Sequence, residues 1–338
     1  METRPASSVF PHSYHVLPRF ALFKRSCFVP SQSPSSPLPR FLAYQPIRAA
    51  SSTIIEPDSI NLKSEIGDSD PFACPICFEP LKRKGPPGFN MSAIYRSGFQ
   101  CATCRRTYSS KENFLDLTIE SGTMKFTELR PNGTELFRSP VVSFLYERGW
   151  RQNFAQSGFP GPDKEFNMAQ EYFNPSLGGI LVDVSCGSGL FSRKFAKSDA
   201  YSKVIALDFS ENMLRQCYDF VRQDKELLTK NLAIVRGDVS RLPFPSSSID
   251  AVHAGAALHC WPSPSNAIAE ICRVLKSGGV FVGTTFLRQA PTIERWAIRG
   301  SYNYFSEAEI EDLCKACGLS NYSKKVDKSF IMFSANKI

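Results

Sequence analysis

The stretch from Gly179 to Arg193, GILVDVSCGSGLFSR, constrains the fold more than any other part of the chain. Its apolar run, Ile180 to Val184, predicts a buried strand that ends at a loop of small residues, 185–189. The residues after the loop, LFSRKFAKS, predict a helix. A strand, a glycine-containing loop and a helix in this order are typical of α/β folds that hold a cofactor.

The remainder of the C-terminal half alternates strand and helix patterns. Predicted strands end near Asp208, near Asp238 and within IDAVHAG, and a helix with a fifth strand follows in AIAEICRVLKSGGVFVGTTF. Residues 321–337 predict a closing antiparallel pair. Strands that alternate with helices predict a doubly wound parallel α/β sheet, with the ligand at the carboxyl ends of the strands.

The loop favours S-adenosylmethionine over a dinucleotide. A G-x-G-x-x-G motif would need glycine at position 192, which is Ser192, and a pyrophosphate would lie close to Asp183. S-adenosylmethionine instead carries a sulfonium and an ammonium, which a carboxylate beside the loop stabilises. Asp208, about 20 residues past the loop, is placed to accept the ribose hydroxyls, and Asp238 to accept the adenine amino group.

These motifs make residues 176–338 similar to class I S-adenosylmethionine-dependent methyltransferases, with a Rossmann-like core. The family pattern D-x-G-C-G-x-G falls on Asp183 to Gly189, where Ser185 replaces the first glycine. The family stretch LH…E…RVLKPGG falls on Leu258, His259, Glu270 and RVLKSGG. The resemblance implies that the cofactor contacts eight residues: Asp183, Ser185, Gly187, Gly189, Asp208, Phe209, Asp238 and Val239.

Two C-x-x-C pairs, Cys74 with Cys77 and Cys101 with Cys104, predict a metal site. Four thiolates form the tetrahedral set that Zn²⁺ prefers in closed structural sites, so we expect no catalysis at the metal. Residues 71–120 resemble the zinc ribbons attached to some methyltransferases. The third pair, Cys314 and Cys317, lies on the apolar face of a predicted helix, which indicates core packing.

The positive charge of the chain is concentrated at its N-terminus. Residues 3–55 contain six Lys or Arg, ten Ser and no acid, which is typical of an organelle transit peptide. The stretch IRAAS resembles a chloroplast processing site with cleavage after Ala49; mitochondrial import is an alternative. Residues 50–70 then form a linker, and residues 50–338 carry 34 basic and 31 acidic side chains. This near balance disfavours a nucleic-acid partner.

Between ribbon and core, residues 121–175 predict a helical lid or substrate segment, with helices that begin at Pro140 and Pro162. His259 follows the fourth strand of the core and is the candidate base, although a packing role explains it equally well. No run of about 18 apolar residues predicts a membrane span.

Three functions compete. The core resembles ubiquinone and menaquinone C-methyltransferases and their plastid relatives on plastoglobules. That resemblance implies a small lipophilic methyl acceptor, such as a prenylquinone or a related phenol, and peripheral association with plastid lipid droplets. The order of ribbon and core instead resembles bacterial rRNA guanine methyltransferases. The third alternative is a scaffold without catalytic activity.

Overall fold

The computed structural model describes residues 70–123 except 112, together with residues 139–145, 147, 151–288 and 302–338. All of these belong to one compact unit, which spans residues 61–338. The predicted transit peptide, and the linker up to residue 69, lie outside the described residues and stay predictions.

One sheet of eleven strands runs through the described residues, in the order β1-β2-β3-β4-β7-β6-β5-β8-β9-β11-β10. The strands are β1 (Leu81–Lys84), β2 (Gly98–Cys101), β3 (Thr107–Lys111), β4 (Phe114–Asp116), β5 (Ile180–Val184), β6 (Lys203–Asp208), β7 (Leu232–Arg236), β8 (Ile249–Ala254), β9 (Leu275–Phe286), β10 (Leu319–Asp327) and β11 (Phe330–Lys337). The α-helices are α1 (Met91–Tyr95), α2 (Pro140–Leu145), α3 (Pro162–Phe173), α4 (Leu190–Lys197), α5 (Glu211–Gln223), α6 (Pro264–Val274) and α7 (Glu307–Ala316).

The predicted doubly wound α/β core is confirmed. Strands β7, β6, β5, β8 and β9 are parallel neighbours, and β11 adds antiparallel to β9 and to β10. Side chains alternate between the two faces along β5: Val182 and Val184 join the apolar cluster under α6 and α7, whereas Leu181 joins the cluster under α3, α4 and α5. Both faces are therefore covered, and the carboxyl edge of the sheet is left for the site.

The residues before the core, 70–123, are here named the N-terminal module. Its strands β1, β2 and β3 form an antiparallel ribbon, and β3 pairs antiparallel with β4. Strand β4 then lies parallel to β7, with Leu115 opposite Val235 and Asp116 opposite Arg236. The module thus extends the core sheet, while the predicted division into a ribbon, a lid and a core stays a prediction.

Helix boundaries agree with the sequence signals in several places. Helices α2 and α3 begin at the predicted prolines. Helix α7 begins with a capping box between Ser306 and Glu309, and Cys314 is buried in the core as predicted. Within the described parts of the chain, every helix is too short or too polar to cross a membrane.

Candidate active site

The loop after β5 forms one wall of the candidate site. Ser185, Gly187 and Gly189 have φ of +55°, +58° and +78°, the left-handed region that favours glycine. A Cβ at Gly189 would lie 2.3 Å from Cys217 Sγ, so this position requires glycine. Ser185 adopts the conformation with a side chain, and its Oγ accepts a 2.9 Å hydrogen bond from Trp261 Nε1. Ser185, which replaces the first glycine of the family pattern, therefore has a hydrogen-bond partner in the structure.

Asp183 lies beneath this loop and is buried. Its Oδ1 is 2.7 Å from His253 Nδ1, and its Oδ2 accepts a 2.5 Å hydrogen bond from Ser192 Oγ. The carboxylate thus joins β5, β8 and the first turn of α4. Its predicted position beside the methionine end of the cofactor stays a prediction.

A cavity of about 260 Å³ opens at the carboxyl ends of β5, β6, β7 and β8. Its lining includes Asp208, Phe209, Asp238 and Val239, which follow β6 and β7 and are here named the acidic end, and the loop contributes Ser185 and Gly187. Of the eight predicted cofactor residues, Asp183 and Gly189 lie outside this lining. The lining also includes a group of rings, here named the aromatic end: Phe154, His259, Trp261, Phe286, Tyr302 and Tyr304.

Asp208 is the last residue of β6, and its carboxylate is held by backbone donors. Oδ2 accepts from Gly187 N at 2.9 Å and Oδ1 accepts from Ser210 N at 2.8 Å. Burial raises the pKa of Asp208 to about 6, against the lowering effect of these hydrogen bonds. Each oxygen keeps a second lone pair, so the carboxylate can still accept from the hydroxyls of a ribose.

His259 lies on a short 3₁₀ turn, Leu258–Cys260, at the aromatic end of the cavity. Its Nδ1 is 3.0 Å from Thr285 Oγ1, and its ring stacks on Tyr304 with centroids 5.8 Å apart. Burial lowers the pKa of His259 to about 4, so the imidazole is neutral at neutral pH. When Nδ1 donates to Thr285, Nε2 is left as a hydrogen-bond acceptor.

Most residues of the aromatic end were not predicted from the sequence. Asn303 brings Tyr302 and Tyr304 to the site, because its N–H donates to the His259 carbonyl at 2.8 Å and its Nδ2 donates to the Trp261 carbonyl at 2.9 Å. The aromatic density of HCW and SYNYF was the only signal in the sequence. It does not reveal that the two segments meet.

The four predicted metal ligands, Cys74, Cys77, Cys101 and Cys104, come together in the N-terminal module. Their Sγ atoms all lie within 4.8 Å of one another, a spacing that fits tetrahedral ligation with Zn–S bonds of about 2.3 Å. The hydrogen bond with Cys77, burial and the charge of Cys74 raise the pKa of Cys104 to about 12. A cation is needed before all four thiols can ionise together, so the donor set fits a metal ion.

Three comparisons bear on identity. Residues 182–283 match the family model of a methyltransferase domain. A protein of Arabidopsis thaliana named an uncharacterised chloroplastic methyltransferase is 60% identical over 330 residues, 93% of this chain and 93% of that protein. The demethylmenaquinone methyltransferase of Staphylococcus haemolyticus is 31% identical over 143 residues, 42% of this chain and 52% of the relative. The structure of Haemonchus contortus phosphoethanolamine N-methyltransferase 2 with S-adenosyl-L-methionine superposes with a TM-score of 0.51 at 15% identity, over 63% of this chain and 61% of that one, and shares the fold.

The chain therefore belongs to the S-adenosylmethionine-dependent methyltransferases. Its similarity to the Arabidopsis protein extends over nearly the whole length of both chains, and that protein's chloroplastic name supports a chloroplast location here.

Proposed function

We propose that this methyltransferase acts in the chloroplast on a small, neutral, lipophilic acceptor, such as a prenylquinone in its hydroxyl form or a related phenol. The observation that carries the proposal is the aromatic end of the cavity, which continues from the end that holds Asp208 and Asp238. Among its described lining residues there is no Lys or Arg, whereas a phosphate-bearing acceptor or RNA needs cationic partners.

In this proposal the acidic end binds the nucleoside part of the cofactor. Asp208 accepts from the ribose hydroxyls and Asp238 from the adenine amino group, with Phe209 and Val239 beside the ring. Gly187 lets the backbone approach the ligand without a Cβ. S-adenosylmethionine, when bound, supplies an electrophilic methyl group on its sulfonium.

The aromatic end positions the acceptor. Methyl transfer is an in-line displacement, so orientation and the exclusion of water supply most of the rate enhancement. Thr285 fixes the His259 ring, and Nε2 of the neutral imidazole accepts a hydrogen bond from the acceptor hydroxyl. This contact holds the acceptor oxygen in place at the aromatic end of the cavity, where His259 is buried and uncharged.

The proposal also covers the cysteine cluster and the N-terminal segment. The four cysteines bind one structural Zn²⁺, and its closed coordination leaves no position for substrate. Residues 1–49 direct import into the chloroplast and are removed after Ala49. Peripheral association with plastid lipid droplets also stays a prediction.

The experiment offers two acceptors to the full chain in the presence of deuterated-methyl S-adenosylmethionine. One is a demethylated prenylquinol and the other is plastid rRNA, and mass spectrometry follows the label. We expect label in the quinol and none in the RNA, and weaker transfer by an Asp208→Ala control when S-adenosylmethionine is limiting. Label in the RNA alone would contradict the proposal in favour of base methylation. Binding of S-adenosylmethionine in the parent chain, with no transfer to either acceptor, would overturn the proposed acceptor class.

A further inference from the structure

Arg236, the last residue of β7, ties the N-terminal module to the loop after β6. Its guanidinium is 4% exposed and pairs with two module carboxylates, Asp116 at 3.3 Å and Glu120, and with Glu211 of α5 at 3.4 Å. Its Nε donates to the Phe209 carbonyl at 3.2 Å, and its guanidinium lies 5.0 Å from the centroid of the Phe209 ring. Asp116 and Glu120 of the module therefore help to fix the position of Arg236. Arg236 in turn contacts Phe209, which lines the cavity.

Arg241 makes a second contact between the core and the module, with the turn between Cys74 and Cys77, here named the first cysteine knuckle. Its N–H donates to the Asp238 carbonyl at 2.9 Å, which closes the turn after β7. Its Nη2 donates to the Ile76 carbonyl at 2.6 Å and its Nε donates to the Pro75 carbonyl. The guanidinium also lies 4.7 Å from the centroid of the Phe78 ring. One side chain thus joins the residues between the first two cysteines to the loop that carries Asp238.

The topology explains why the contacts of Arg236 with the module lie at this end of the cavity. Strand β4 is parallel to β7, so the residues that follow β4 emerge at the carboxyl edge of the sheet, where Asp208 and Asp238 lie. The described residues that line the cavity include neither Arg236 nor Arg241. Their effect on a ligand must therefore pass through Phe209 and Asp238.

We infer that Arg236 and Arg241 are positioning residues for the cofactor, and that the metal-bound module fixes the adenine end of the cavity through them. The inference rests on the proposed binding of S-adenosylmethionine. Loss of the metal frees the knuckle, so the Pro75 and Ile76 carbonyls no longer hold Arg241. The loop that carries Asp238 then samples more conformations, and binding must order it again.

The test is calorimetry on the full, metal-loaded chain with two probes, S-adenosylmethionine and 5′-methylthioadenosine. The second probe keeps adenine and ribose but lacks the amino acid. For Arg241→Met we expect both probes to bind about threefold to thirtyfold more weakly, because the lost anchor acts at the adenine end. Arg241→Lys keeps the charge but not the paired donors, so it should recover only part of the affinity.

Arg83→Met is the matched control. Arg83 is partly buried like Arg241 but belongs to the module, and it donates to Ser97 Oγ at 2.7 Å and to the Gly88 carbonyl at 2.8 Å and pairs with Asp70 at 3.2 Å, so its polar partners all lie within the module. We expect Arg83→Met to lower the unfolding temperature and to leave both affinities within about twofold of the parent value. Equal weakening in Arg83→Met and Arg241→Met, or no weakening in Arg241→Met, would overturn the inference while the proposed function stands. Failure of the parent chain to bind either probe would overturn both.

Linkage supplies a second readout that needs no substrate. If the metal strengthens binding of S-adenosylmethionine, the cofactor must strengthen retention of the metal by the same factor. Titration of the chain with a zinc chelator should therefore need more chelator when S-adenosylmethionine is present. The difference should shrink in Arg241→Met and persist in Arg83→Met. A chelator curve that ignores the cofactor in the parent chain would contradict the coupling.

Discussion

The N-terminal module and the methyltransferase core reach order by different means. The core covers both faces of its parallel strands with helices, and its apolar side chains form clusters on each side of the sheet. The module has strands of only three to five residues and one short helix, Met91–Tyr95. A segment of this size buries little apolar surface by itself. Its order therefore depends on the four thiols and on its docking to the core sheet.

The difference separates two kinds of sensitivity. In the core, a polar change at the edge of the sheet should alter ligand binding and leave folding nearly intact. In the module, a change at the metal ligands should alter folding first. The following predictions test that separation, beginning with the largest effect.

Removal of two thiols should abolish metal binding by the module. In Cys101→Ser/Cys104→Ser we expect loss of bound zinc and rapid proteolysis within residues 70–123, because structural zinc contributes roughly 10 kcal/mol or more to small metal-dependent folds. Metal analysis and limited proteolysis of the purified chain measure both effects. The control is Cys314→Ala/Cys317→Ala, which removes the C-x-x-C pair of the α7 region and should keep full zinc content. Full zinc content in the first variant would refute the ligand set.

Asp208 and Asp183 should separate binding from stability within the core. Asp208→Ala should weaken binding of S-adenosylmethionine about tenfold or more, since it would remove the proposed charge-assisted hydrogen bonds to the ribose, while Asp208→Asn should keep part of the affinity. Asp183→Ala instead strips the partners from buried His253 and Ser192, so it should cost about 2 kcal/mol or more of unfolding free energy. Calorimetry and denaturant unfolding on both variants measure the contrast. The contrast would be contradicted if Asp208→Ala and Asp183→Ala lowered the cofactor affinity equally and also lowered the free energy of unfolding equally.

The same contrast explains what the sequence could predict. The strands of the core, and the positions of Asp208 and Asp238 at the cavity, were predictable because apolar runs that alternate with helix patterns locate the strand ends, and clefts of such sheets lie there. The cysteine cluster was predictable because its spacing repeats a local geometry.

Contacts between distant segments were not predictable. Trp261 donates a hydrogen bond to Ser185, and Tyr304 stacks on His259. These residues are far apart in the sequence, and no local pattern indicates that they come together. Strand β4 has only three residues, so its pairing with β7 leaves no recognisable periodicity. The roles inferred for Arg236 and Arg241 depend on that pairing and required the structure.

Binding of S-adenosylmethionine should weaken as the pH falls from 7 to 5. Burial raises the pKa of Asp208 to about 6 in the ligand-free fold, and the proposed contacts with both ribose hydroxyls require the ionised carboxylate. At pH 5 most molecules carry the proton, so the affinity should be about tenfold lower than at pH 7. Calorimetry across this range measures the profile, and Asp208→Asn should lack the inflection near pH 6.

The effect of Asp208 on folding has the opposite sign. The pKa in the fold lies above the ordinary value of 3.8, so the folded chain holds the proton more tightly than the unfolded chain does. This group therefore favours the ligand-free fold below about pH 4, and that contribution is lost as the pH rises through 6. The difference in unfolding free energy between the parent chain and Asp208→Asn isolates this contribution, and a difference that does not change between pH 4 and pH 7 would contradict the assignment.

The smallest predicted effect concerns Ser185. A serine at φ +55° costs roughly 1–2 kcal/mol relative to glycine, and the hydrogen bond from Trp261 returns roughly 0.5–1.5 kcal/mol. Ser185→Gly should therefore change the unfolding free energy by no more than about 1.5 kcal/mol, because the two terms oppose each other. The change in cofactor affinity should be equally small, since glycine satisfies the same backbone conformation.

A double-mutant cycle isolates the hydrogen bond from the backbone term. Trp261→Phe removes the indole donor and keeps most of the ring, so in the parent chain it should cost about 1 kcal/mol. In the Ser185→Gly background the same substitution should cost less, because the acceptor is already gone. Denaturant unfolding of the four proteins gives the coupling energy. A coupling near zero would mean that Trp261 only packs against the loop, and that Ser185 holds the left-handed conformation without its help.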